Sequence, residues 1–270
     1  MLPTLRAQGI ALFAISYDAV PILSAFAARH DIGYPLLSDE GSHVIRRLGL
    51  INERVQDDHA FYGIGPNPKH VNLPYPGVFV LDRDGVVTHK RFYESYRVRD
   101  TGAGALADLL GLEAPGGGAE ASGGTDGVRV RAWLDSPTYA FFQRLRLTVE
   151  LAIDPGLHVY AHPVPEGNVA LTVEVAPIAG VEIGAPEFPA AHRMTIEGLS
   201  DEFLVYEGRP RVVVPLIFGA APGGGDHTVR VTVKYQACSD SSCALPASVE
   251  LALPVTEVAL AERTLPAATG

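Results

Sequence analysis

The chain contains two cysteines, Cys238 and Cys243, which lie five positions apart in the segment YQACSDSSCALP. A loop of this length lets the two sulfurs meet, but closing it removes only about 2 kcal/mol of unfolded-state entropy. A purely structural cross-link would therefore stabilise the fold little. The residues between the cysteines are small and polar, which leaves the sulfurs accessible to another protein's thiolate. We interpret the pair as a thiol/disulfide exchange site, and a local loop tie is the alternative.

Metal binding is a third chemistry open to paired cysteines. A structural zinc site needs four ligands, usually supplied as two pairs, and the sequence has no second cysteine pair and no tight histidine pair. Acidic and histidine residues at 30–31, 39–40 and 57–59 lack the convergent partners that define a site, and GIG at 63–65 does not open a phosphate-binding helix. We expect solvated loops at these positions, and neither a metal nor a cofactor.

The composition is that of a globular protein, with 47% hydrophobic and 19% charged residues. A length of 270 residues favours two domains over one large core. The formal net charge of -10 argues against a nucleic-acid partner, which would require clustered lysine and arginine. No apolar run reaches the roughly 20 residues that span a bilayer, and the N-terminal segment lacks the basic region of a secretory signal.

The pattern of the chain changes at residues 113–127, which are small, glycine-rich and acidic, as in a flexible linker. Residues 1–112 alternate strand-like segments, such as GIALFAIS and GVFVLD, with helix-like segments, which predicts an α/β domain. Residues 128–260 consist of short β-rich runs separated by turn residues. This pattern predicts an all-β antiparallel sandwich of the immunoglobulin type.

The segment VKYQACSDSSCALPASVELALPV resembles the end of the N-terminal domain of the thiol:disulfide interchange protein DsbD. Upstream, LHVYAHPVPEG, GAPEFP and FLVYEGRPRVVVPL resemble other parts of that family, so the resemblance covers most of residues 128–257. In the family, an immunoglobulin-like domain receives electrons on this cysteine pair from a thioredoxin-like domain and passes them to periplasmic acceptors. The resemblance implies the same relay here.

The resemblance also assigns roles to individual residues. Cys238 and Cys243 are the exchanging pair, with Cys243 as the sulfur that faces the partner. Tyr160 matches a tyrosine packed beside the pair, and a strand-end aromatic in the core is the alternative. Tyr235 and Asp240, the tyrosine and aspartate of the motif, are expected to support the pair.

The chain departs from the DsbD pattern in three places. Its cysteine spacing is one residue shorter than in the best-known members of the family. The acidic and aromatic cap loop of the family has only a loose counterpart from Glu197 to Ser200. His158 lies where the family often has a second aromatic, and we interpret it as a polar strand residue. These departures concern the shielding of the pair, not its exchange chemistry.

The first domain resembles a thioredoxin fold of the AhpC/TSA peroxiredoxin type, through GIALFAISYD, YPLLSD and YPGVFVLDRDGVV within residues 5–112. The resemblance implies that Pro76 is the cis-proline that lies against the active thiolate, and a trans-proline opening a strand is the alternative. The catalytic cysteine of that family would precede this segment, and no cysteine occurs before Cys238. We therefore expect an incomplete thioredoxin-like domain, either truncated or used for docking, without peroxidase activity.

The sequence therefore predicts a bacterial thiol-disulfide oxidoreductase that relays two electrons through Cys238 and Cys243. Its expected partners are a thioredoxin-like or other redox protein as donor and an acceptor protein. The DsbD resemblance favours the periplasm, although the sequence shows no signal peptide. The alternative function is a non-catalytic docking module with a structural loop disulfide.

Overall fold

The computed structural model describes residues 2–55, 57, 73–93, 98–112, 117–140, 142–164, 166–195, 202–219 and 225–258. The chain forms two compact units, which meet in sequence between Ala114 and Pro115. The described residues are mostly in β-sheets with few helices, in agreement with an α/β region followed by an all-β region. No helix in these ranges is long and apolar enough to cross a membrane.

The first unit contains short helices and strands in alternation. Thr101 begins its last helix by accepting a hydrogen bond from the Gly104 N–H at 2.9 Å. The first and second strands pair in parallel, and the third and fourth pair antiparallel. The helices are α1 (Leu2–Ala7), α2 (Val20–Arg29), α3 (His43–Arg47) and α4 (Gly102–Leu110), and the strands are β1 (Ala14–Ser16), β2 (Leu36–Ser38), β3 (Gly77–Leu81), β4 (Val87–Phe92) and β5 (Arg99–Asp100).

The predicted buried strand GIALFAIS is shorter and more exposed than expected. Only its last part forms β1, and the side chains of Phe13 and Ile15 are 57% and 45% exposed. Among the described residues, β1 has β2 as its sheet neighbour. A parallel strand is buried when further strands and helices cover it on both faces, and the described part of this unit leaves β1 largely uncovered.

The expected cis bond before Pro76 is wrong. The cis peptide bond in the described residues is His162–Pro163, so Tyr75–Pro76 is trans. The Tyr75 N–H donates to the Leu50 carbonyl at 2.8 Å, and the Pro76 carbonyl accepts from the Tyr93 N–H at 3.0 Å. The trans bond keeps the chain extended between these two contacts, so that it runs directly into β3.

The second half of the predicted linker is a strand. Residues Glu120–Thr125 form β6, which pairs antiparallel with β7 (Val128–Leu134). A Cβ atom at Gly123 would lie 2.8 Å from the Val249 side chain, and one at Gly124 would lie 2.3 Å from the Val128 carbonyl. The glycines therefore allow a close approach of backbone to neighbouring strands, although in the sequence they indicate a flexible linker.

Strands are the regular secondary structure in the described residues of the second unit. Its inward and outward side chains alternate, as in β7, where every second residue is buried. After β6 and β7 the strands are β8 (Thr138–Tyr139), β9 (Gln143–Ile153), β10 (His158–Tyr160), β11 (Thr172–Val175), β12 (Val181–Ile183), β13 (His192–Thr195), β14 (Glu202–Tyr206), β15 (Arg211–Phe218), β16 (His227–Tyr235), β17 (Ala237–Cys238) and β18 (Ala247–Glu257).

Two large sheets of this unit form a sandwich. One has the strand order β12-β15-β9-β7-β6, and the other has the order β11-β16-β18-β8. Their inward side chains share one hydrophobic core, to which β9 contributes Leu147 and Leu151, β16 contributes Val231 and β18 contributes Leu253. Burial of these aliphatic side chains is the main stabilising contribution to the unit.

A smaller sheet, with the order β13-β14-β10-β17, carries the first cysteine. The chain reaches this sheet directly from the sandwich, because only Gln236 separates β16 from β17. The two large sheets thus fix the position at which Cys238 enters the small one.

The buried core of the sandwich leads to a prediction about the free energy of unfolding. Replacing Leu147, which is fully buried in β9, with alanine is expected to lower the free energy of unfolding by about 3 kcal/mol, because the cavity is only partly refilled. The fluorescence of Trp133, the sole tryptophan, reports the urea transition of this unit. Leu245→Ala is the matched control, since Leu245 is 88% exposed, and it should change stability by less than about 0.5 kcal/mol. Equal effects of the two substitutions would contradict this description of the core.

Candidate redox site

The two cysteines form a disulfide bond, with an S–S distance of 1.99 Å and a Cα–Cα distance of 4.0 Å. They face each other as an antiparallel pair in a tight hairpin. Hydrogen bonds on either side of the pair, Ser239 N–H to Ser242 O at 2.7 Å and Ala244 N–H to Ala237 O at 2.8 Å, make it a non-hydrogen-bonded pair. In such pairs the Cα atoms and side chains approach most closely, which brings the two sulfurs within bonding distance.

The turn between the cysteines is held by its own serines. The Ser239 hydroxyl accepts from the Ser242 N–H at 3.2 Å and from the Ser241 N–H at 3.4 Å. Asp240 lies in this turn with its side chain exposed. The turn therefore has a defined conformation and presents a carboxylate beside the disulfide.

The two cysteine residues differ in exposure. Cys238 is 1% exposed, whereas Cys243 is exposed on the surface. The residues after Cys243 are also exposed, and the Leu245 side chain is 88% exposed. Cys243 is therefore the half of the disulfide that lies at the surface, with the polar turn on one side of it and the apolar residues 244–246 on the other.

Cys238 lies in a small apolar cluster with Tyr160 and Val205, and Met194 and Phe203 pack against it. The ring of Tyr160 meets the ring of Phe203 edge-on, with 6.0 Å between centroids. Burial raises the pKa of Tyr160, so its phenol remains neutral at physiological pH. The structure thus places Tyr160 beside the cysteine pair, as its resemblance to the DsbD tyrosine implies.

His158 lies directly opposite Cys238 on the paired strand β10. It is 1% exposed, although the sequence suggested only a polar strand residue. Its ring contacts that of Tyr160 edge-on at 5.3 Å. Its Nε2 atom has no hydrogen-bond partner among the described residues. The sequence analysis named His158 as a strand residue but missed its burial, although the alternation in HVY places His158 and Tyr160 on one face of a strand.

Gln236 is a residue that sequence reasoning missed. Its side chain is buried between two loops, where its Oε1 accepts from the Val169 N–H and its Nε2 donates to the Ala244 carbonyl, both at 3.0 Å. Asn168, next to Val169, places its Oδ1 4.0 Å from the Cys243 sulfur. Gln236 therefore fixes the cysteine hairpin against the loop that precedes β11.

The other predicted site residues lie in different places. Tyr235 is fully buried in the main core of the sandwich, where its hydroxyl contacts the Thr125 hydroxyl at 3.0 Å. Pro76 belongs to the first unit. The cap-loop counterpart at 197–200 and the segments 58–59 and 63–65 lie outside the described residues. Of the predicted residues, the structure brings together the two cysteines, Tyr160 and Asp240.

His158 leads to a prediction about pH. Burial lowers the pKa of His158; the carboxylates of Glu207 and Asp240 oppose this, and His192 reinforces it. In the unfolded chain its pKa is about 6.5, so below that pH the unfolded state binds a proton that the folded state excludes. This contribution to stability is therefore present above about pH 6.5 and is lost as the pH falls toward the lowered folded pKa.

We expect the urea midpoint reported by Trp133 to fall less in His158→Phe than in the wild type between about pH 7 and pH 5. His30→Phe is the control, because His30 is exposed in the first unit. A wild-type pH dependence retained in full by His158→Phe would contradict the assignment.

Both family resemblances read from the sequence are confirmed. Residues 1–90 match the model of the AhpC/TSA family, and residues 136–254 match the model of the thiol:disulfide interchange protein DsbD, N-terminal. The second match contains the disulfide, Tyr160 and His158. The comparison with curated proteins found no match to the chain.

Two solved structures are similar to parts of the chain. The N-terminal periplasmic domain of ScsB from Proteus mirabilis is 17% identical, with a TM-score of 0.35, over 50% of this chain and 51% of that one. The chain thus spans about half of that structure. The reduced N-terminal domain of DsbD from Neisseria meningitidis is 18% identical, with a TM-score of 0.28, over 39% of this chain and 74% of that one. By sequence, the chain joins a segment similar to the AhpC/TSA family to a segment similar to the N-terminal domain of DsbD, and its disulfide lies in the second.

Proposed function

We propose that the protein relays two electrons between a thioredoxin-like donor and an acceptor protein through its Cys238–Cys243 disulfide. The observation that carries this proposal is the unequal exposure of the two bonded cysteine residues, since Cys243 is exposed and Cys238 is 1% exposed. A disulfide with one exposed cysteine residue favours attack at that residue. The match to the DsbD N-terminal model over this segment supports the same chemistry.

The relay proceeds by thiol/disulfide exchange. A donor thiolate attacks the Cys243 sulfur, a mixed disulfide forms, and the electron pair of the broken bond stays on Cys238. The donor's second thiolate then attacks the donor's first sulfur in the mixed disulfide, which releases Cys243 as a thiolate. The donor dithiol is oxidised to a disulfide, and the Cys238/Cys243 pair is reduced and takes up two protons. The same steps in reverse reduce the acceptor.

The surface around Cys243 suits a protein partner. Ala244, Leu245 and Pro246 follow the cysteine and are all exposed. A leucine that is 88% exposed beside a reactive sulfur offers apolar area that a docked protein would remove from water. Reduction by a small dithiol requires no such contact, so comparing a small dithiol with a protein donor distinguishes docking from the exchange reaction itself.

In the proposed relay, the two domains and the residues around the disulfide have separate roles. The exchange domain is an immunoglobulin-like sandwich over residues 128–260, and residues 1–112 form a thioredoxin-like domain that lacks its own cysteine. Tyr160 packs against the buried sulfur and Asp240 lies in the turn between the cysteines. A periplasmic location follows from the DsbD resemblance.

Single cysteine variants test which sulfur is attacked. Cys238→Ser leaves the exposed Cys243 thiol, and Cys243→Ser leaves the buried Cys238 thiol. The probe is a thioredoxin-like protein that keeps one active-site cysteine, activated as a mixed disulfide with a small thiol. We expect Cys238→Ser to react with this probe about 100-fold faster than Cys243→Ser, because the reaction requires access to the free sulfur. Gel-shift quantification of the mixed disulfide measures both rates. Trapping through Cys238 at an equal or higher rate would overturn the proposed point of attack, and no trapping by either variant would favour the docking module.

A second experiment tests the docking surface. Leu245→Asp is expected to slow reduction by a thioredoxin-like protein about tenfold, because the substitution places a charge in the apolar contact, while reduction by dithiothreitol stays unchanged. Val258→Asp is the matched control, since Val258 is also exposed and lies beyond the far end of β18, roughly 35 Å along the strand. Equal slowing by both variants, or slowing with dithiothreitol as well, would contradict a docking role for Leu245.

A further inference from the structure

His158 is a buried polar residue with an unused hydrogen-bonding atom. Its side chain is 1% exposed, and its Nε2 has no partner among the residues that the structure describes. A buried polar atom without a partner is costly, and such atoms in native proteins call for an explanation. In the disulfide-bonded state, the described residues provide no hydrogen bond to this atom.

The sheet register places His158 next to the buried sulfur. His158 and Cys238 are directly opposite in the β10–β17 pairing. Residues opposite each other in an antiparallel pair project from the same face of the sheet, with Cβ atoms about 5 Å apart. Tyr160, two residues after His158, contacts Cys238 in the same cluster and also meets the His158 ring. All three side chains therefore lie on one face of this small sheet.

The surroundings of His158 keep its ring neutral. The charged groups that act on it are Glu207, Asp240 and His192, and Glu207 is itself paired with His192 at 3.1 Å. Burial outweighs the carboxylates and lowers the pKa of His158. A neutral imidazole keeps one N–H donor, which can hydrogen-bond to a thiolate without a change in its own charge.

We propose that His158 is a positioning residue for the leaving sulfur of the exchange reaction, and that its Nε2–H donates a hydrogen bond to Cys238 once the disulfide opens. This inference rests on the proposed exchange function. When a thiolate attacks the Cys243 sulfur, the S–S bond breaks and its electron pair moves to Cys238, which is buried. A thiolate formed in an apolar cluster is unfavourable without a donor, and His158 supplies that donor without transferring its proton. The proton that later converts Cys238 to the thiol comes from solvent, and the His158 N–H keeps its hydrogen bond to the sulfur in the reduced form.

The midpoint potential of the Cys238/Cys243 pair tests the proposal. It is measured on the full chain by equilibration in dithiothreitol redox buffers, with thiol alkylation to separate the two states. His158→Phe keeps an aromatic ring but removes the donor. Loss of a hydrogen bond to the reduced form should lower the equilibrium constant for reduction about tenfold, which is a shift of about 30 mV toward more negative potential. His158→Gln, whose amide N–H can replace Nε2–H, should restore most of the wild-type potential.

Val205→Ala is the packing control. Val205 is fully buried in the same cluster as Cys238 but has no hydrogen-bonding side chain, so this variant should leave the potential unchanged. If His158 served packing alone, His158→Phe would destabilise the oxidised and reduced forms equally, and the potential would not move. An unchanged potential in His158→Phe, or an equal shift in Val205→Ala, therefore overturns the inference.

These outcomes are distinguishable from failure of the proposed function. The potential is measured with a small dithiol and requires no protein partner. Exchange with thioredoxin-like proteins together with an unchanged His158→Phe potential would remove the role of His158 and leave the relay intact. A shifted potential without exchange in any protein pair would retain the His158 contact and remove the relay.

Discussion

The site depends on the antiparallel pairing of β17 with β10 and with the chain that follows the turn. This pairing sets Cys238 directly opposite His158 on one side and opposite Cys243 on the other. The first contact buries one sulfur, and the second brings the other within bonding distance. A shift of one residue in either register would turn Cys238 to the opposite face of the sheet. The backbone ladder therefore determines both the bond and its asymmetry.

The sandwich maintains this register from a distance. Strands β16 and β18 run beside each other over their length, and the cysteine hairpin is the segment that joins them. Gln236 adds a local restraint, since its amide binds Ala244 in the hairpin and Val169 in the loop that precedes β11. The hydrophobic core stabilises the long strands, and the strands then position a short segment that has little core of its own.

The cysteine pair, the all-β second region and the contact with Tyr160 were predictable because they follow from local patterns and from the DsbD motif. The strand at Glu120–Thr125 was not, because the need for Gly123 arises from Val249, which is distant in sequence. The burial of His158 was missed for a similar reason. Its burial comes from strand pairing with residues far along the chain, which a local pattern does not report.

Contacts other than the disulfide also hold the hairpin. Two backbone hydrogen bonds flank the cysteine pair, and the Gln236 amide anchors the segment independently of the sulfur atoms. We therefore expect the two thiols to stay adjacent after reduction, at a high effective concentration. In the proposed relay, a mixed disulfide between Cys243 and an acceptor is then resolved by the Cys238 thiol faster than by a second protein molecule. The scaffold thus limits the lifetime of covalent complexes and favours turnover over permanent capture.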